Sequence, residues 1–287
     1  MREKYFLNRR QRKKAIRTII YPVWIILGLT IFFGLVIDLP LYIQFIPFLA
    51  SIVFLGLPHG AVDHLIIPRA EKTELSINWM ATVAAIYLVL GGLYLLAWYL
   101  APVMSFVFFI LMTWFHWGQG ELYILENLVF GTEISKFHKA LEVLVRGGAP
   151  MILPLVAFPE YYRFVAESLV ALFTDQNSLG VVEIFFQEEV RLLLFVIYLA
   201  LSATLLSILY VKFEGLELRI SFIELVLLTF FFLTVPPILA VGVYFCFWHS
   251  LRHIFRYSML NSKSVKNLEQ GNLKPIIKDF SLEAAPL

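Results

Sequence analysis

Charge is scarce in this chain: only 15% of its residues are Asp, Glu, Lys or Arg, against 60% hydrophobic residues. A soluble domain carries about a quarter charged and about half apolar residues, so a water-soluble fold is excluded. Cysteine is nearly absent. The single Cys246 rules out a disulfide framework and a thiolate metal cluster, and reads as a small buried hydrophobe. No cleavable leader is expected: the basic N-terminus runs into an apolar stretch of spanning length with no small-residue cleavage site, and reads as a first anchor helix. No low-complexity tract or internal repeat is evident. The net charge of +2 gives no reason to expect a nucleic-acid partner.

What the chain does have is apolar residues in blocks of about twenty, the length that crosses a hydrocarbon layer of about 30 Å. Eight such stretches are read: Ile19 to Val36, Leu41 to Leu57, Trp79 to Leu100, Val103 to Trp117, Leu141 to Phe158, Leu192 to Val211, Ile220 to Val235 and Ile238 to Phe255. The fourth is short, and Gly147, Gly148 and Pro150 break the fifth. The expected fold is all-α, a polytopic integral membrane bundle of about eight transmembrane helices. Residues 1–18 form a basic N-terminal segment, 19–257 the membrane domain and 258–287 a polar tail. The ending from Phe280 to Leu287 reads as the start of another span.

Basic residues flank cytoplasmic ends of membrane helices. Arg2, Lys4, Arg9, Arg10, Arg12, Lys13, Lys14 and Arg17 put the N-terminus in the cytoplasm. Eight crossings then bring Arg69, Lys72, Lys136, Lys139, Lys212, Arg219, Arg252 and Arg256 to the same side, and leave the other with Arg163 and Arg191 and an acidic loop from Pro159 to Val190. Arg252 and Arg256 read as interfacial anchors. The expected location is the cell membrane.

The histidines share that cytoplasmic side. His59 and His64 end the second stretch, His116 ends the fourth, and His249 and His253 lie in the last turns of the eighth. Ionisable residues at membrane depth are expensive and face the protein interior or a cavity. His249 and His253 are spaced i, i+4, which puts both imidazoles on one helix face and suits two ligands of one metal. Asp63 and Glu121 could hold the second nitrogen of a ligand, and Asp63 could equally cap a helix. His64 is turned away from His59 and is a further outer candidate. His138, in a Lys-flanked stretch, reads as an ordinary polar tip. Imidazole suits Zn, Cu, Fe and Ni alike. A haem protein using paired axial histidines and a metal transporter stay open. The first wants histidines at both faces; the second wants ionisable groups near the midplane, where the stretches look almost uniformly apolar.

Three ordered blocks resemble the Brp/Blh-type β-carotene 15,15′-dioxygenases. They are Gly56-Leu57-Pro58-His59-Gly60-Ala61 with Asp63; His116 with Trp117, Gly118 and Glu121; and Tyr244 through Trp248-His249-Ser250-Leu251-Arg252-His253. A weaker echo is Gly147-Gly148 with Leu153-Pro154-Leu155. The resemblance implies a membrane enzyme that cleaves the central double bond of β-carotene with O2 into two all-trans-retinal molecules. It implies a non-haem Fe(II) held by His59, His116, His249 and His253, with retinal passing to a rhodopsin-type protein. No catalytic group beyond the metal site is expected. Phe115, Trp117, Tyr244, Phe247 and Trp248 are the aromatics expected to line a path for the polyene from the lipid bilayer. The N-terminal segment and first span extend beyond shorter relatives. The family's further helices after the last histidine block suggest a truncated chain.

Overall fold

A computed structural model describes residues 7–56, 62–71, 73–174, 179–260 and 262–284. Every regular element among them is a helix. Helix α1 (Arg9–Val36) opens on a reciprocal cap in which Asn8 Oδ1 accepts from the Arg10 and Gln11 amides and Gln11 Oε1 accepts from the Asn8 amide. Its 28 residues extend about 42 Å. There follow α2 (Leu41–Ser51), α3 (Asp63–Glu71), α4 (Ile77–Leu100), α5 (Pro102–Ile124), α6 (Lys136–Ala157), α7 (Pro159–Ala171), α8 (Glu188–Lys212), α9 (Gly215–Thr234), α10 (Pro237–Val243), α11 (Ser250–Ser258), α12 (Ser262–Gln270) and α13 (Leu273–Ala284). Wider π turns continue α2 over Ile52–Gly56, continue α5 over Leu125–Phe130, and join α10 to α11 over Tyr244–His249.

Among the described residues, each of the eight apolar stretches lies on helix or π turn apart from a terminal residue, Phe158 or Val235, that caps its helix. Five helical segments among the described residues are long and apolar enough to cross a membrane: Arg9–Val36, Ile77–Leu100, Lys136–Ala157, Glu188–Lys212 and Pro237–Ser258. The apolar part of α2 with its π turn, Leu41–Phe54, is shorter. Helix α9 carries Glu217, Arg219 and Glu224, and α5 ends in His116, Gln119 and Glu121. The acidic loop expected from Pro159 to Val190 is corrected: it contains α7 and a 3-10 turn over Gly180–Phe186.

The surface is apolar, unlike that of a soluble protein, over an interior that is apolar as well. Leu88, Leu90, Leu93, Leu95 and Leu96 of α4 all stand exposed, as on a helix wrapped by lipid. Helix α6 is instead enclosed, with Leu141 through Leu155 largely buried against α5, α8 and α9. Its two glycines set that packing. A Cβ on Gly147 would sit 2.9 Å from the Gly118 nitrogen and against the Trp114 carbonyl, and one on Gly118 would sit 2.8 Å from Val143 Cα. Small residues let membrane helices touch backbone to backbone, so α6 runs unbroken through Gly147, Gly148, Pro150 and Pro154. Gly147→Val is expected to cost about 1–3 kcal/mol by overpacking, read as a lower unfolding temperature in detergent. Gly92→Val on α4, where a Cβ meets nothing within 4 Å, is expected to leave that temperature unchanged.

The polar tail folds back onto the bundle. Phe280 of α13 is buried against Tyr257, ring centroids 5.7 Å apart. Arg69 of α3 grips Glu283 through two hydrogen bonds of 2.7 and 2.8 Å, and the Tyr257 hydroxyl donates to the same carboxylate. Burial pushes the Glu283 carboxyl up, but the hydrogen bonds from Arg69 and Tyr257 outweigh it and hold it below the ordinary range. A depressed carboxyl stabilises the docked state above its unfolded pKa and loses that contribution as pH falls through the folded one. Protection of residues 273–284 against hydrogen exchange, taken relative to the unfolded chain at the same pH, is therefore expected to fall as pH drops below about 4. Protection independent of acid would remove the clasp from this account.

Candidate metal centre

Two helix ends converge at the histidines. On α5, His116 and Gly120 are spaced i, i+4 and share a face. On the second helical segment of the site, the π turn ends at His249 and α11 carries His253 one turn further on. π turns within helices are frequent at functional sites. The rings of His116 and His249 lie 5.5 Å apart. His249 is 4% exposed, flanked by Trp117, with centroids 6.0 Å apart, and stacked near Phe245 at 5.4 Å. A Cβ on Gly120 would come within 3.3 Å of His249 Cε1, so the glycine is the recess that takes the imidazole. His116 is exposed and His253 half-buried.

The other expected site residues fall around this pair. His59 lies outside the described residues, as does the rest of 57–61, and of Asp63 only its place at the start of α3 is described. His64 is half-buried on α3, its carbonyl accepting from Trp79 Nε1 at 2.8 Å. The segment leading into 57–61 runs beside the one leading to His249: a Cβ on Gly242 would sit 2.8 Å from Phe48 Cα, and Cys246 Sγ donates to the Pro47 carbonyl at 3.6 Å. Among the described residues, no three His, Cys, Asp or Glu side chains converge as a complete metal-binding group. Of the aromatic candidates, Trp117, Tyr244 and Trp248 are buried and Phe115 and Phe247 are exposed. A separate apolar cavity of about 140 Å³ lies between α5, α6, α7 and α8, walled by Phe106, Trp114, Met151 and Phe186 among others. It opens from another face of α5 than His116.

Beside the histidines lies a chain of buried charges that the apolar pattern concealed. His138 Nε2 and Glu142 Oε1 are 3.1 Å apart, and Arg146 Nε donates to Glu142 at 2.7 Å. Arg146 Nη1 donates to Glu224 at 2.9 Å. Arg252 Nη2 donates to the other oxygen of Glu224, and Arg252 Nη1 to Glu121 at 2.5 Å. Trp248 Nε1 donates to the remaining Glu121 oxygen at 2.9 Å. His138, Glu142 and Glu224 have no exposed surface, and Arg252 keeps 5%. Two expectations are thus corrected. His138 is not an interfacial tip, because it is fully buried with its Nε2 held by Glu142. Arg252 is not an anchor, because two carboxylates from α5 and α9 draw it inward. The span centres are not uniformly apolar either, since Arg146 and Glu224 occupy them. Ionisable residues inside apolar stretches were the available signal.

The sequence profile of the family described as "Beta-carotene 15,15′-dioxygenase" matches residues 50–287. "Probable beta-carotene 15,15′-dioxygenase Blh" of Halobacterium salinarum is 40% identical over 246 residues, 85% of this chain and 70% of the relative. "Beta-carotene 15,15′-dioxygenase" of an uncultured marine bacterium, 66A03, is 29% identical over 226 residues, 78% of this chain and 74% of the relative. "Probable beta-carotene 15,15′-dioxygenase Brp" of H. salinarum is 25% identical over 239 residues, covering 64% of that protein. No solved structure matches the chain. With its profile match spanning the three histidine blocks and the paired helix ends that carry His116 and His249, the chain belongs to the beta-carotene 15,15′-dioxygenase family.

Proposed function

We propose that this protein is a membrane enzyme that cleaves the central double bond of β-carotene with O2 to give two molecules of all-trans-retinal. The observation that carries the reading is the family match over residues 50–287. The stoichiometry is self-contained: one C=C bond is exchanged for two C=O bonds, and both oxygen atoms end in the aldehydes, so no external reductant is consumed. In this reading the metal is Fe(II), held by His59, His116, His249 and His253.

The residues at hand fit such an ion. Metal–nitrogen bonds of about 2 Å put the ring centroids of two imidazoles on one metal roughly 4.5–5.5 Å apart, and His116 and His249 stand at 5.5 Å. Held by these four neutral imidazoles, Fe(II) would keep its full charge and would supply the redox chemistry of O2 activation. The protein's own contribution is positioning and exclusion of water. Gly120 leaves space for the His249 ring, and Trp117, Tyr244 and Phe245 enclose it. The ring faces of Trp117 and Tyr244 offer negative potential to positive charge developing on a polyene, whereas that of Trp248 is taken by the Arg252 guanidinium. Phe115 and Phe247, on the exposed apolar surface, serve as the approach from the bilayer. Eight crossings with a cytoplasmic N-terminus put the site at the cytoplasmic end of the bundle, and the product aldehyde is passed to a rhodopsin-type protein able to form a Schiff base with it.

Expression in cells that accumulate β-carotene tests the activity. Retinal is expected to form as the orange colour fades, with 18O2 labelling both aldehydes. Persistent colour without retinal in cells holding the folded protein overturns the reading.

A further inference from the structure

The buried carboxylate of Glu121 makes two hydrogen bonds, and both donors precede a histidine. Trp248 Nε1 comes from the residue before His249, and Arg252 Nη1 from the residue before His253. Trp248 and Arg252 are themselves spaced i, i+4, and the Arg252 guanidinium lies 4.0 Å over the Trp248 ring. They form a ladder parallel to the histidine ladder, one residue or about 100° around the helix. Arg252 also reaches Glu224 of α9. The helix face next to the histidines is therefore tied to α5 and α9 at once.

The helix needs such a tie at this point. The π turn over Tyr244–His249 interrupts the regular i to i+4 ladder as it reaches His249, and Ser250 Oγ donates back to the Phe245 carbonyl at 2.6 Å. Rotation of the segment beyond the turn would swing His249 and His253 away from α5. On α5 itself, Glu121 follows Gly120, the recess for the His249 ring. One carboxylate thus sets the rotation of α11, the height of His249 and its register against His116.

We infer that Glu121 is a positioning residue for the metal centre, acting through Trp248 and Arg252 to orient His249 and His253. The inference rests on the ligand reading above. Its neighbours tell it apart from general stabilisation, because each link can be cut gently. Glu121→Gln leaves the buried Arg252 short of a counter-charge and risks the fold. Trp248→Phe keeps an aromatic ring under Arg252 while removing the donor to Glu121 together with part of the buried indole. Tyr198→Phe is its match elsewhere: it deletes the buried hydrogen bond of 2.9 Å to Thr229 between α8 and α9, without touching a histidine.

The test is chelator-competition titration of Fe(II) into the purified full chain in detergent, with unfolding temperature and steady-state kinetics on β-carotene alongside. Trp248→Phe is expected to weaken Fe(II) binding about 10–100-fold, as loss of an outer partner does at other metal sites, and to lower kcat more than it raises KM. Tyr198→Phe is expected to bind Fe(II) as the parent does, at a similarly lowered unfolding temperature. Parental Fe(II) affinity in Trp248→Phe, while His249→Ala loses the metal, overturns the positioning role and leaves the ligand reading standing. Equal weakening in both Phe variants overturns it as well. Parental affinity in His249→Ala overturns the ligand reading and the positioning role with it.

Discussion

Replacing His249 with alanine is expected to stop retinal formation in β-carotene-accumulating cells, a loss larger than the roughly 10–100-fold caused by outer-partner changes at metal sites. Among the described residues proposed as ligands it is the best enclosed: it is 4% exposed, and its ring fills the recess over Gly120 between Trp117 and Phe245. Alanine removes the imidazole and leaves a hole lined by aromatic side chains. The hole costs about 2–4 kcal/mol of stability, so soluble, folded yield in detergent is compared before activity is. Bound iron per folded chain and retinal per cell are then expected to fall together. A variant that keeps its iron and bleaches the cells at the parental rate excludes His249 from the centre.

Helices were legible in the sequence because the bilayer imposes a simple length rule, and the described residues of each apolar stretch are helical but for an end residue at Phe158 and Val235. Their ends were less so. The stretch ending at Trp117 continues as α5 to Ile124 because Glu121 turns to Trp248 and Arg252 rather than to water. The break expected at Gly147, Gly148 and Pro150 is no break. Backbone approach from α5 makes those small residues the packing surface, and proline inside a membrane helix is tolerated where neighbours satisfy the freed carbonyls. At the site, common depth and i, i+4 spacing led to His116 and His249, whose rings the fold brings together. Spacing along one chain could not reveal partners on other helices. A basic residue near a helix end at the cytoplasmic side has the pattern of an anchor, and only Glu121 and Glu224, on α5 and α9, make Arg252 an interior group.

Arg146 carries the other large expected effect. It stands between Glu142 and Glu224 with no exposed surface on any of the three side chains. Arg146→Met preserves most of the buried volume but leaves two carboxylates facing a gap in which one guanidinium had been shared. Breaking a buried pair by removing one partner costs about 3–5 kcal/mol, because the remaining charge stays desolvated and uncompensated. The expected result is a large drop in unfolding temperature and in folded yield from membranes. Pairing Arg146→Met with Glu142→Gln removes one charge of each sign and leaves Glu224 bonded to Arg252. Residues in one network do not add independently, so the double variant is expected to be more stable than Arg146→Met alone. Were the single variant as stable as the parent, Arg146 would not be compensating these carboxylates. Were the double variant no better than the single, the loss would come from packing of the long side chain rather than from charge left without a partner.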